Sequence, residues 1–328
     1  MVRITNPNIS LAYNLNHYQP SLPGDGDDDL YHVVVQKGNV GESYVYALQL
    51  LHNGHNIYVF RGRRQTDVAF AKNDPVLRLI GQGDYTAGGH TQTWEYAGRS
   101  GDWLVGTKPS KDDWTIQITR VHIPDGTRIY ENIKLPRLSH LNYAGEFHID
   151  MKRVEAAVSP DYQSLLIASV DQTGNGYFSV YSMKQANDKL TDSQYHVSNG
   201  IIPDVDIRSL DLQKSFRIPN ITDSSKIGSL QGYDIDNGAN NIYVSSGFGP
   251  GTDGYKTDKS RKIIKIPWNT TEKYQWSEIP LDGTNENGYI IEPEGLQLIS
   301  DNDVYVTIAY HEVGDNLTVM NRIYRVSW

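Results

Sequence analysis

Apolar and polar positions alternate with a period of two over much of the chain, and helical periodicity is almost absent. "WTIQITRVHI" (Trp114 to Ile123) alternates along its length, and "WLVGTK" (Trp103 to Lys108) before it reads as another strand. The same order then restarts. "VEAAVSPDYQSLLIASVDQTGNGYFSVYSM" (Val154 to Met183) gives strand, turn, strand, glycine turn, strand. "LQGYDIDNGANNIYVSSG" followed by "RKIIKIPW", and "PEGLQLISDNDVYVTIAYH" followed by "NRIYRVSW", repeat it toward the C-terminus; "VVVQKGNVGESYVYALQL" followed by "NIYVFRG" opens the series. That makes five units, about 66 residues each when 328 residues are shared evenly. One more strand precedes each unit: "ISLAYNLN", "VLRLIGQ", "TRIYENIKL", "SFRIPN" and "YQWSEIPL".

Four strands per unit is the blade of a β-propeller, whose radial repetition leaves only short edges. The pattern therefore predicts an all-β fold, one domain spanning residues 1–328, with five blades. The last unit stops at its third strand, so the N-terminal strand around Ile9 to Asn16 is expected to complete it and close the ring. Six blades is the alternative, if Lys184 to Ser215 holds a further hairpin set. "MKQANDKLTDSQ" (Met183 to Gln194) reads as a polar loop in preference to a turn or two of helix.

Aligned by their starts, the five inner strands place Gln36, Gln92, Glu155, Gln231 and Glu294 at matching positions, followed by small or flexible residues. Inner strands crowd around the central channel, where small residues permit close approach and a polar side chain meets water. This accounts for "GGHTQTWEYAG" (Gly88 to Gly98), an interior-looking strand that carries His90, Gln92 and Glu95. The expected role is a polar ring solvating a water-filled tunnel, preferred over a cation site because three of the five residues are amides.

Composition narrows the function. The formal charge of −9 and the absence of a long Lys/Arg cluster argue against nucleic acid as a partner. No cysteine is present, which removes disulfides and thiolate chemistry. No run approaches the ~20 apolar residues of a membrane span, and "MVRITNPNISLAYNL" lacks the apolar core of a recognisable signal peptide.

Candidate chemistry is thin. "DIDNG" (Asp234 to Gly238) offers Asp234 and Asp236 to calcium, the only cofactor the residues suggest. Position twelve of that loop is Ser245 where a glutamate is needed, so an Asn-Gly turn is preferred. "GDGDDD" (Gly24 to Asp29) is a solvated acidic loop on the same reasoning. Glu155 and Glu294 are the natural acid–base pair if the channel hydrolyses glycosides, with Asp150 and Asp234 in reserve; the polar ring is the preferred reading. His90, His148 and His311 lie near inner strands without zinc-site spacing, and no G-x-S-x-G, P-loop or dinucleotide fingerprint occurs. Tyr85, Trp114, Tyr143, Tyr255 and Trp276 fall at or near blade edges, where aromatic faces stack on sugars. With His90, the last four form the candidate ligand-binding set.

Several segments in fixed order resemble the helveticin J family of bacteriocins from lactic acid bacteria: "VVQKGNVG", "GGHTQTWEYAG", "KPSK", "EAAVSPDY", "QGYDIDN", "KIP" and "TIAYH". The resemblance runs from Val33 to the C-terminus and departs most in the first thirty residues and between Lys184 and Ser215. It implies a large, heat-labile antimicrobial protein acting on related bacteria outside the producer, secreted or surface-associated, and brings no catalytic residues with it. The expected function is a bacteriocin that binds a component of the bacterial envelope, a neutral or mixed-polarity glycan. A carbohydrate-active propeller enzyme and a surface-layer-associated adhesin without killing activity are the alternatives.

Overall fold

A computed structural model describes residues 1–17, 32–51, 56–70, 75–80, 88–124, 129–130, 135–198, 201–252 and 260–328. It is a β-propeller of five small sheets. Blade I holds Val35–Val40, Tyr44–Leu51, Asn56–Arg63 and Leu77–Ile80, from the axis outward; blade II holds Trp94–Tyr96, Asp102–Pro109, Thr115–His122 and Arg137–Ser139. Blade III is Met151–Val158, Ser164–Asp171, Gly176–Ser182 and Leu212–Ile218, and blade IV is Tyr233–Ile235, Asn241–Ser246, Lys262–Pro267 and Ser277–Pro280. Blade V takes Tyr289–Ser300, Asp303–Glu312 and Thr318–Ser327 from the C-terminus and its outer strand, Asn8–His17, from the N-terminus.

The closure expected from the sequence is thus present. Asn8–His17 runs antiparallel to Thr318–Ser327, with Ile9 opposite Val326 and Asn14 opposite Arg322. Arg322 Nε donates to Asn14 Oδ1 at 3.1 Å, and Tyr13 and Leu15 are buried against blade I.

A second device locks the ring. In four blades the connection before the outer strand sends a short segment back to pair in parallel with the outer edge of the preceding blade. Asp67–Phe70 pairs with blade V, Ile129–Tyr130 with blade I, Val205–Asp206 with blade II, and Val2–Arg3 with blade IV. Each covers a strand edge that would otherwise present unpaired amides. This corrects the assignment of "TRIYENIKL" as an outer strand: Ile129–Tyr130 is a latch on blade I, and Arg137–Ser139 is the outer strand of blade II.

The core is divided into five buried clusters, one at each junction between neighbouring blades. Every blade is therefore buried on both faces. In blade I, Tyr58 and Phe60 pack toward blade V while Ile57 and Val59 pack toward blade II. This is why "ALQLL" and "NIYVF" read as continuous apolar runs.

Met183–Tyr195, expected as a loop, is an α-helix. Ser182 caps it by accepting from the Gln185 amide at 3.3 Å. Met183, Ala186, Asn187, Leu190 and Ser193 form its buried stripe at helical spacing. Only Met183 and Leu190 are large and apolar, so the stripe is faint in the sequence. The helix lies on blades II and III, and no sixth blade forms from this segment.

Candidate functional site

Two layers of polar side chains cross the propeller axis. In the first layer, backbone bulges aim the side chains inward. Gln36 is an extra residue between the pairs Val35–Gln49 and Lys37–Leu48; Gln231 and Gly232 together face Ser245; Glu294 and Gly295 together face Thr307. The strands approach closely enough that a Cβ on Gly232 would lie 2.6 Å from the Gly295 Cα, so glycine is required there.

This layer is joined across the axis. Gln92 Nε2 of blade II donates to Gln231 Oε1 of blade IV at 2.7 Å and to Glu294 Oε2 of blade V at 2.5 Å. Its backbone amide donates to Glu155 Oε2 of blade III at 3.0 Å. His90 Nε2 meets Gln36 Oε1 at 2.6 Å. Arg153 ties the group together: Nη2 donates to Gln92 Oε1 and Glu155 Oε1, and Nη1 to the Leu230 carbonyl. Four of the five residues are buried, and Gln231 is partly so. Water was the expected partner of these side chains; they are instead satisfied by one another, and the axis is spanned at this depth.

Three residues further along each inner strand comes a second layer: Asn39, Glu95, Val158, Asp234 and Gln297. All five line one cavity of about 400 Å³ at the opposite mouth of the channel. Lys37, fully buried, passes over Gly295 and pairs with Glu95 Oε1 beneath the cavity floor. The walls come from Tyr44, Tyr46, Tyr96, Trp103 and Tyr162, and the rim from the turns Gly41–Ser43 and Pro160–Tyr162. Tyr46 and Tyr96 both pack on Trp103, at 4.5 and 5.4 Å between ring centroids.

The floor presents acceptors. Lys37 occupies Oε1 of Glu95, and Oε2 meets no donor among the described residues. Asn39 turns its Nδ2 to the Trp94 carbonyl, which leaves Oδ1 on the cavity side. Burial pushes the Glu95 carboxyl up to about 8, against the pull of Lys37 and with help from Asp234. Asp234 is pushed up to about 6 by burial, against Lys37 and two backbone amides.

The other candidates scatter. Trp114 is covered on both faces, by His90 stacked at 4.0 Å and Arg153 at 3.7 Å, so its indole cannot stack on a sugar. His90 is held between Trp114 and Gln36 and pushed down to about 3 by burial and by Arg153. Trp276 is a core residue of the blade III–IV junction, its Nε1 donating to Thr270 Oγ1 at 3.1 Å. Tyr143 alone is exposed, stacked on Phe147 with Arg208 over its ring. Tyr255, Tyr85 and the 24–29 loop lie outside the described residues.

The calcium candidates are occupied by amide donors. Asp234 accepts from Ile235 and Leu298, and Asp236 from the backbone of Asn240 and Asn241, which closes the expected turn. His148 and His311 have separate partners, Ser169 and Thr318, in different blades. Among the described residues no three potential ligands are grouped for a metal. Glu155 and Glu294 are likewise taken up. Glu155 Oε2 receives Thr93 Oγ1 at 2.6 Å in addition to Gln92, and both carboxyls are raised chiefly by burial. Both carboxylates are thus engaged by protein donors within the closed layer.

Sequence reasoning named Asp234 as a calcium or reserve carboxylate and Glu95 as a polar residue of an inner strand, but did not join them into a second layer with aromatic walls. Tyr46, Tyr96 and Trp103 lie on strands and read as core. The signal that could have found them is the polar residue three places after four of the five ring positions.

The fold and axis define a five-bladed, single-chain propeller whose channel is closed at one layer and cupped at one mouth. Among solved structures the chain is similar to the catalytic domain of Coprinopsis cinerea GH62 α-L-arabinofuranosidase: 11% identity, TM-score 0.47, covering 97% of this chain and 96% of that one. It is similar also to an α-L-arabinofuranosidase from Lactobacillus brevis: 10% identity, TM-score 0.46, covering 91% and 92%. These likenesses concern the fold and carry nothing about activity. Sequence does more. The family model for bacteriocin helveticin-J matches residues 3–328, and bacteriocin helveticin-J of Lactobacillus helveticus is 40% identical over 92% of this chain and 94% of its own length. The chain belongs to the helveticin-J bacteriocin family and is a bacteriocin-like protein.

Proposed function

We propose that this protein is a secreted bacteriocin that recognises a saccharide of the envelope of related bacteria in the axial cavity. The observation that carries the reading is the cavity itself: unfilled acceptors on the floor beside aromatic walls. Sugars bring hydroxyl donors for the former and C–H faces for the latter. No helix among the described residues is long and apolar enough to cross a membrane, so envelope contact is assigned to surface recognition. The test is binding of purified protein to isolated cell walls of related bacteria, paired with a viability assay. Tyr162 sits on the rim and is 46% exposed, so Tyr162→Ala leaves the fold intact. It is expected to weaken wall binding and killing together, by on the order of tenfold for one lost aromatic contact. Unchanged wall binding in that variant and in Tyr46→Ala would remove the cavity from recognition.

A further inference from the structure

We propose that the saccharide taken by the axial cavity carries a free primary amine, seated on the floor between Glu95 and Asp234. The proposal rests on the reading that the cavity is the recognition site, and it names the ligand's charge.

Among the described residues three carboxylates line the cavity, Glu42, Glu95 and Asp234, and no lysine, arginine or histidine does. Lys37 lies beneath the floor and is committed to Glu95. Arg61 and Arg64, near the rim, turn to the Tyr44 ring and to the Tyr13 hydroxyl, and neither enters the lining. Lys37 thus answers the charge of Glu95, whereas Asp234 on the floor and Glu42 on the rim have no cation partner among the described residues, and Glu95 keeps Oε2 as an open acceptor.

An anionic ligand would meet Glu42 and Asp234, whose charges Lys37 does not pair. A hard cation needs a shell of about six or more oxygens, which the floor does not assemble with each Asp234 oxygen already accepting from the Ile235 or Leu298 amide; an ammonium asks only for the second lone pair of such an oxygen. A neutral sugar would fill Glu95 Oε2 and Asn39 Oδ1 but leave the charge unmatched. An ammonium satisfies both demands, because it is a donor in three directions and carries the opposite charge. The Tyr46, Tyr96 and Trp103 rings beside the floor add the attraction of aromatic faces for a cation. The cavity, at about 400 Å³, is of the size that takes a small ligand.

The experiment is calorimetric titration with β-1,4-glucosamine tetramer, its fully N-acetylated counterpart and cellotetraose, between about pH 6 and 7.5, where the amines still carry protons and Asp234 is ionised; an ammonium seated beside Glu95 draws that carboxyl back toward its ionised form. The amine tetramer is expected to bind at least tenfold more tightly than the other two and to weaken as salt rises. Glu42→Gln, at the exposed rim, should reduce that preference several-fold while melting like the parent; Glu95→Gln should abolish it. A second arm uses isolated walls. N-acetylation of their amines should eliminate binding, whereas mild base, which strips ester-linked amino acids, should leave it intact. Equal affinity for the amine and acetylated tetramers overturns the amine and leaves the saccharide reading standing. Loss of wall binding in mild base also overturns it, because the amine is then not on the sugar. No binding of any tetramer, together with wall binding indifferent to Tyr162→Ala, overturns both the amine and the site.

Discussion

Glu155→Gln separates a hydrated channel from a closed one. In a water-filled tunnel the amide would replace the carboxylate at no cost. Here Glu155 is 2% exposed. Its Oε2 receives the Gln92 amide and the hydroxyls of Thr93 and Thr91, and its Oε1 receives Arg153. A glutamine has one acceptor and one donor at these places. If its oxygen takes the three donors, its NH2 group faces the Arg153 guanidinium; turned over, it faces the Gln92 amide. Arg153 keeps Gln92 Oε1 and the Leu230 and Gln231 carbonyls but loses the carboxylate it is paired with. Breaking a buried pair from one side costs about 3–5 kcal/mol, and the remaining carbonyl contacts bring the expectation to the lower end, about 3 kcal/mol. For a chain of this length the unfolding entropy is roughly 0.7 kcal/mol per degree, so the melting temperature should fall by about 4 °C. Differential scanning calorimetry of Glu155→Gln against Glu42→Gln, whose side chain is on the rim, reads this directly. A Glu155→Gln protein melting within about 1 °C of the parent refutes the closed axis.

Four further outcomes follow from the same geometry. Deleting residues 1–17 removes the outer strand of blade V and the latch on blade IV, and should give aggregation or no cooperative melt; a soluble truncation with parental melting contradicts the clasp. Leu15→Ala, in the junction of blades V and I, should cost about 2–5 kcal/mol in urea unfolding and leave wall binding per folded molecule unchanged. Trp114→Ala should lower stability and spare wall binding, since the indole is covered on both faces; selective loss of binding would restore Trp114 as a ligand residue. Glu95 is raised from 4.5 to about 8, so its contribution is fully present below pH 4.5 and is lost as pH rises through 8. Urea midpoints should accordingly decline across that window, and Glu95→Gln should flatten the decline.

The blades were legible because their middle strands, such as Tyr44–Leu51, Ser164–Asp171 and Asn241–Ser246, are buried on both faces and bounded by turns, which gives apolar runs at a regular interval. The clasp was legible because the last unit lacks an outer strand and the first residues supply one. The latches were not. Ile129–Tyr130 and Val205–Asp206 are two residues long, too short to carry a period, and only their pairing across a blade junction distinguishes them from loop. The helix at Met183–Tyr195 was hidden because its stripe includes Ala186, Asn187 and Ser193. Asn187 is buried for a specific reason: its Nδ2 donates to the Ala97 carbonyl and its Oδ1 accepts from Arg120. Loop aromatics misled for a related cause. An aromatic residue in a loop reads as exposed, but Trp276 fills a blade junction and Trp114 lies between a histidine and an arginine.

The polar ring was found by alignment, but its environment was not, because sequence reports which residues are polar and not the distance across the axis. The bulges at Gln36, Gln231 and Glu294 connect the two layers. In an unbroken strand, residues three apart face opposite sides. One inserted residue restores them to the same side, so that Gln36 and Asn39, Gln231 and Asp234, and Glu294 and Gln297 can each place both members on the axis. Glu155 shows the contrast: the strand pairs regularly through Val158, and the residue three places on is apolar. The first layer, joined through Gln92 and Arg153, gives the second a fixed floor. It also closes the axis as a route through the molecule, since Gln92 alone bonds side chains of blades III, IV and V. Killing by conduction along the propeller channel would require breaking this buried network. The proposed recognition at the open mouth requires no such change.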